Sequence, residues 1–517
     1  MTVNDATTIP IITSPQHLLV IGVFAFLSWY LCSAIYTAYF DSLSKYPGPK
    51  LWATSRIPSQ RSVVSGHHHH DMLALHKQYG NTVRVGPNEL AFFSPEGFKD
   101  IYTKRAGHKL PPKDRSHYPL PPNGVDNIVT ANDEAYHARH RRLLGYAFSE
   151  KALKEQEPIL QGYVDLFVAR LRDQAARGPV DIKSFFNFVI FDITGDLMFG
   201  ESFGCLEESK LHPWVELFFS AAKAYSYLIA VSQFPWVKSI LEPLIPRKVV
   251  QEGLDHFKLT AEKVDKRLAM KTERPDIISF ALRNGMREGH GLLASESEKT
   301  MSRAEMHSNA YVMIAAGSEE PATHLSGCMY YLLVHPQSLN RLTHEIRTTF
   351  ASETDITMSA VANLPFLAAV IEESFRIYSP FVTSLTRVVP KGGDTIAGEY
   401  VPEGTIVAAH LYASFHSPNN FASPESFLPE RWLGTDARFK NDRRDVLHPA
   451  SLGPRGCIGK ALGYAEIRLV LSKLLWNFDL ELCDESRNWV HQEVYIIWDK
   501  PALMVRLRDR RVAGKGY

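Results

Sequence analysis

Between Asp5 and Asp41 the chain carries no Lys, Arg, Asp or Glu, and its core from Leu18 to Phe40 reads LLVIGVFAFLSWYLCSAIYTAYF. A spanning helix needs roughly 20 apolar residues, so this stretch is predicted to enter a bilayer. A cleaved signal peptide would instead want a basic leading segment and an apolar core of about 7–15 residues, and neither is present. Lys45, Lys50, Arg56 and Arg61 follow the span whereas Asp5 precedes it, which leaves the C-terminal bulk in the cytosol by the positive-inside rule. Tyr46-Pro47-Gly48-Pro49 then makes a stiff break, because proline fixes its own φ and restricts the residue before it. The chain therefore divides into a tail and anchor, residues 1–45, and a remainder, residues 46–517.

That remainder shows no Gly/Ser-rich linker, low-complexity tract or repeat, so one large domain is expected despite the 517-residue length. With 45% hydrophobic and 22% charged residues it can bury a large core. Lys plus Arg number 57 against 56 Asp plus Glu, which gives no electrostatic case for nucleic acid. The cysteines Cys32, Cys205, Cys328, Cys457 and Cys483 are odd in number and form no CxxC pair, favouring reduced thiols in a cytosol-facing domain. Consecutive histidines do not converge on one ion, so His67–His70 reads as a solvated surface tract.

Thr82–Val85 and Leu90–Phe93 flank Gly86-Pro87-Asn88 and predict a hairpin. Helical patterns cover Asp133–Phe148, Pro158–Ala176, Val249–Lys271, Arg303–Val334, Ser338–Phe350 and Leu364–Ile377. Strand signals return at Ser384–Pro390, Thr395–Ile396 and Thr405–Ala409, punctuated by Gly392-Gly393 and Pro402-Glu403-Gly404. The expected fold is mainly α with small peripheral β-sheets.

The loop Ser451-Leu452-Gly453-Pro454-Arg455-Gly456-Cys457-Ile458-Gly459 leads into a helical pattern over Lys460–Leu475. Glycines let the backbone approach a bulky planar ligand, and amide dipoles at a helix start stabilise a thiolate, the form that binds iron. Taken alone, the same residues also suit a buried structural cysteine. With its companions the loop resembles the haem-binding signature of cytochromes P450, G-x-R-x-C-x-G, from Gly453 to Gly459. Glu373-Ser374-Phe375-Arg376 matches that family's E-x-x-R, and Phe427-Leu428-Pro429-Glu430-Arg431-Trp432 matches its P-E-R segment. The pattern is closest to ascomycete P450s of secondary metabolism, trichothecene C-15 hydroxylase-like enzymes included.

The resemblance implies a P450 fold behind one transmembrane helix, with haem b on Cys457 and a buried network of Glu373, Arg376 and Arg431. It implies propionate contacts from His137, Arg141, Arg387 and Arg455. It further implies a monooxygenase at the endoplasmic reticulum membrane that oxidises a small apolar substrate. Electrons would come from NADPH through cytochrome P450 reductase, with cytochrome b5 open as a second donor. Family position nominates Leu110–Asn127, Ala310–Ala316 and Phe381–Leu385 for the substrate pocket.

Two positions depart from the pattern. Where the family reads an acid followed by threonine, this chain has Glu319-Glu320-Pro321, so Glu319 keeps the acid and Glu320 replaces the hydroxyl. Proline cannot bond the carbonyl four residues earlier, so a freed Gly317 carbonyl and a kink are expected. Ala450 stands where the family commonly has phenylalanine beside the sulfur, which alters the packing that tunes such a ligand. Glu320 is expected to serve as a substitute proton relay. The same departure leaves two alternatives: a haem-thiolate enzyme of atypical outcome (desaturation, cyclisation, ring expansion or redox-neutral rearrangement), and a catalytically silent haem-binding membrane protein.

Overall fold

The computed structural model describes residues 15–234, 239–240, 247–270, 272–283 and 300–513. Asp5 and Lys271, used above, lie outside them. The anchor sequence forms one helix, Pro15–Tyr39, apolar on every side and buried only at Ala38, where it meets the domain. Its length and composition fit a membrane anchor.

The rest is organised around a 32-residue helix, Arg303–Val334, about 48 Å long at about 1.5 Å per residue. Ser302 starts it with a capping box: Ser302 Oγ accepts from the Glu305 amide at 3.3 Å, and Glu305 Oε2 accepts from the Ser302 amide at 2.8 Å. Helical structure runs without interruption through Pro321 and stops at His335, beyond which Pro336 opens the helix Pro336–Thr349. Pro321 therefore does not end the helix, and the segment from Pro321 to Tyr330 is buried among its neighbours. Its main partner is Ile182–Phe199, buried along almost its whole length. That helix lacks a polar face, so no 3.6-residue alternation marks it in the sequence.

Small sheets lie at the periphery. In one, the spatial order is Thr82–Gly86, Glu89–Phe92, Ile406–Ala409, Arg387–Val388. The predicted hairpin forms its edge, with a bulge between Arg84 and Gly86, and Leu90 pairs in parallel with Val407. The expected strand Ser384–Pro390 shrinks to Arg387–Val388, with Ser384 making a lone bridge to His410. A second sheet pairs Phe478–Leu482 with Met504–Asp509, both missed in the sequence, and a third is the hairpin Asp394–Ile396 with Glu399–Val401. Pro158, read as a helix start, lies inside Glu150–Ala175, which Ser149 caps by accepting from the Ala152 amide.

The histidine tract is the expected solvated surface only at His67 and His70, which are exposed. His69 is buried with its ring edge-on to Tyr412 and Trp498 at 4.8 and 5.2 Å, because the helix His68–Tyr79 turns that side onto the domain. Among the described residues no group of three or more His, Cys, Asp or Glu is placed to hold a metal ion.

His324 of the central helix is also buried, 3.8 Å from the Phe375 ring with neither nitrogen partnered. Burial pushes its pKa from 6.5 down to about 3. Below pH 6.5 the unfolded chain therefore binds a proton that the folded chain refuses until about pH 3, so this group's stability contribution is lost on acidification. His324→Phe, which keeps the stack, should gain about 2 kcal/mol relative to the parent between about pH 8 and about pH 5. Chemical unfolding at the two pH values measures this; an equal difference at both would contradict it.

Candidate active site

The cysteine loop is folded back on itself before its helix begins. The Cys457 amide donates to Ala450 O at 2.8 Å and the Gly456 amide to Gly453 O at 3.1 Å. Ser451 is held at φ 58°, a region few non-glycine residues adopt. At Gly453 φ is 70°, and a Cβ would meet Tyr102 O at 2.2 Å, so only glycine fits. Two arginines hold the loop from outside. Arg141 donates to Gly456 O at 2.5 Å, and Arg455 donates to Ala131 O and, at 2.8 Å, to Asn132 O.

Cys457 and Glu320 both present accessible surface although each lies deep within the protein; that surface faces an internal cavity. Amides of Gly459 and Lys460 point at the sulfur, as the helix-start argument requires. They do not win: burial, then the Glu320 charge, pushes the thiol up to about 11. A metal cation at the sulfur reverses this balance, since a coordinating thiol is deprotonated.

The two acids of the central helix part company. Ala316 and Glu320 share the accessible face, whereas Ser318 and Glu319 are buried on the other. Neighbouring helix positions point about 100° apart, so this separation is built into the backbone. Burial, then the Glu319 charge, pushes Glu320 up to about 7. Glu319 is tied to the C-terminal segment by a buried ion pair with Lys500, and its Oε1 also accepts from Thr323 Oγ1 at 2.8 Å. Glu319 is therefore turned away from the cavity that Glu320 faces.

Cations without carboxylate partners gather near the loop. Lys113, Arg141, Arg387 and Arg455 make no ion pair among the described residues; Arg387 Nε is buried and unpartnered, and Arg387 also bonds the Tyr118 hydroxyl. Burial, then Arg387 and Arg455, pushes Lys113 down to about 6; burial, then Arg455, pushes His137 down to about 3. A cleft of about 220 Å³ runs past Leu110, His137, Arg141 and Arg455. Such a cluster calls for an anion, and the two propionates of a haem supply one beside a cavity with a thiol on its wall. The donor set fits haem.

Behind the loop, Glu373 accepts from Arg376 at 2.8 and 2.9 Å, from Arg431 at 3.1 Å, from Trp432 Nε1 at 2.9 Å and from the Leu428 amide at 2.8 Å. Arg431 also pairs with Asp442, so two arginines meet two carboxylates and the buried charge balances. Asp442 and Lys500 escaped the sequence reading, because their contacts join segments that no local spacing connects; Lys113 and Tyr118 fell inside the nominated Leu110–Asn127 but were not singled out.

A thiol and a proton-holding acid on one cavity, with cations that lack carboxylate partners at its edge, fit a haem-thiolate oxidoreductase. Comparison with known proteins gives the family: the model described as Cytochrome P450 matches residues 47–504, and the chain belongs to the cytochrome P450 family. It is 42% identical over 503 residues to averantin hydroxylase of Dothistroma septosporum, covering 96% of this chain and 92% of that protein. It is 39% identical over 488 residues to trichothecene C-15 hydroxylase of Fusarium sporotrichioides, covering 94% and 96%. A cytochrome P450 monooxygenase of Talaromyces wortmannii, astA, is 42% identical over 477 residues, covering 92% and 94%. The protein is thus a P450 monooxygenase-type oxidoreductase whose cofactor is haem held through a cysteine thiolate, and such enzymes need a redox partner and a small substrate.

Proposed function

We propose that this chain is an endoplasmic reticulum monooxygenase of fungal secondary metabolism: a single-pass anchor, residues 1–45, carrying a cytosolic catalytic domain, residues 46–517. NADPH supplies two electrons through cytochrome P450 reductase, with cytochrome b5 as an additional donor. One oxygen atom of O2 enters a C–H bond of an apolar small molecule, and the other leaves as water after taking up two protons. The single observation that carries this reading is that Cys457 and Glu320 face one cavity beside cations that have no carboxylate partner among the described residues. The hydroxylase names of two relatives agree with it.

Cys457 would hold the haem iron through its thiolate. His137, Arg141, Arg387 and Arg455, with Lys113 beside them, would hold the propionates, and Arg141 also steadies the loop through Gly456. Glu373, Arg376 and Arg431 brace the fold behind. When bound, haem supplies the electron-rich centre at which O2 is reduced and cleaved. Glu320 holds the proton in the cavity, in place of a threonine hydroxyl; Glu319, paired with Lys500, fixes the register of the helix that presents it.

A protonated Glu320 donates, so coupling of NADPH use to product should be full below about pH 7 and fall as pH rises through it. Glu320→Gln should slow product formation by roughly a hundredfold or divert electrons to hydrogen peroxide, whereas Glu320→Thr should retain oxygenation. Products, NADPH and peroxide are measured together. Unchanged rate, product and coupling in Glu320→Ala would remove the relay role. Product formed without NADPH would favour the second reading, redox-neutral rearrangement, which the Glu320-Pro321 replacement motivates.

A further inference from the structure

We propose that Arg84 locks the anchor helix and the catalytic domain into one rigid unit, so that insertion of the anchor presses a defined face of the domain against the bilayer. The inference rests on the reading of Pro15–Tyr39 as a membrane span. Proline-rich junctions suggest a hinge; this one is packed shut. Arg84, on the edge hairpin, is only 2% exposed, and all of its guanidinium N–H groups are used. On the domain side it donates to Gly86 O at 3.3 Å and Pro87 O at 2.6 Å. On the anchor side it donates to Thr37 O at 2.9 Å and to both oxygens of Asp41, at 3.1 and 2.7 Å. The fork geometry of guanidinium fixes direction as well as distance.

Neighbouring contacts remove the remaining freedom. The Arg84 amide donates to Pro47 O at 2.8 Å, and a Cβ on Gly48 would lie 2.3 Å from Arg84 O. Leu43 and Tyr46 are buried in an apolar cluster with Leu90 and Val401, and the Tyr46 hydroxyl donates to Tyr400 O at 2.9 Å. Lys50 Nζ reaches back to Ala38 O at 3.1 Å, at the last turn of the anchor.

The face beside this junction is apolar. The helices Lys50–Thr54 and Ile57–Val64 follow directly and leave Leu51 69% and Ile57 62% exposed. The helix Pro213–Ser232 packs on the second of them and exposes Tyr227 and Leu228. Lys45, Lys50 and Arg61 are exposed on the same stretch, suited to phosphate headgroups. Continuity with a clamped anchor makes the occupant of this face the bilayer that the anchor enters.

The test uses full-length holoprotein in phosphatidylcholine vesicles on a Cys32→Ser background, with Ile57→Cys carrying an environment-sensitive fluorophore and part of the lipid brominated in its acyl chains. Retention on the vesicles after carbonate washing reports the anchor separately: release of the full chain would end the membrane-span reading, and this inference with it. In retained protein the label should be quenched, and Arg84→Met and Asp41→Asn should each lose more than half of that quenching while retention and the haem spectrum persist. If Arg84→Met loses the haem spectrum, Asp41→Asn alone decides, because Asp41 is partly exposed and outside the domain core. Retention without quenching in the parent would overturn the lipid-facing assignment; undiminished quenching in the variants would overturn the lock.

Discussion

Glu373→Gln is expected to cost about 3–5 kcal/mol of folding stability and to leave little protein able to take up haem, because it strips one carboxylate from a buried set of four charges. Arg376 and Arg431 are fully buried, and Glu373 bonds both. An amide keeps the shape and one acceptor but neither the charge nor the second acceptor oxygen. Only Asp442 would then oppose two guanidinium groups. The exposed pair Arg341 and Glu430 is the control: Arg341→Ala should cost less than about 1 kcal/mol, since solvent screens it. Chemical unfolding followed by circular dichroism, with haem content measured in parallel, compares them. A Glu373→Gln variant within about 1 kcal/mol of the parent would mean that the network positions segments without stabilising them.

Where the sequence was legible, local chemistry set the structure. The hairpin around Gly86-Pro87-Asn88 was readable because turn residues separate two β-branched or apolar runs. The central helix was readable at its end, where His335-Pro336 acts as the stop signal. Ile182–Phe199 was not, because a helix buried on all sides has no amphipathic period. The strand Met504–Asp509 owes its existence to a partner, Phe478–Leu482, more than twenty residues away. Pro158 misled because a proline inside a helix looks, from sequence alone, like a proline that starts one.

The site divides in the same way. Cys457 and the Glu373-to-Arg376 spacing carry their geometry locally, on a glycine loop and on one helix face. Glu319 and Glu320 were bracketed together as acids, and helical geometry required that only one of them face the cavity. Which one, and what occupied the other, depended on Lys500, 181 residues from Glu319. Likewise the pairing of Arg431 with Asp442 and the placing of Lys113 beside Arg387 and Arg455 are tertiary facts. The helix-start amides alone do not hold the thiolate, because burial next to a carboxyl group outweighs them; the charge of the bound iron is what favours it.

The assignment of Cys457 as haem ligand is tested most directly by the absorption spectrum of the reduced protein under carbon monoxide, taken for the parent and for Cys457→Ala. A thiolate donates strongly enough to iron to shift the Soret band to the red, and of the other cysteines Cys32 lies in the anchor helix while Cys205, Cys328 and Cys483 are buried. The parent should show the shifted band. Cys457→Ala should lose it completely while keeping its helical circular dichroism, because the loop is held by Arg141, Arg455 and the amide of residue 457 rather than by the sulfur. A shifted band that survives in Cys457→Ala, or that is absent from well-folded, haem-loaded parent protein, would contradict the assignment.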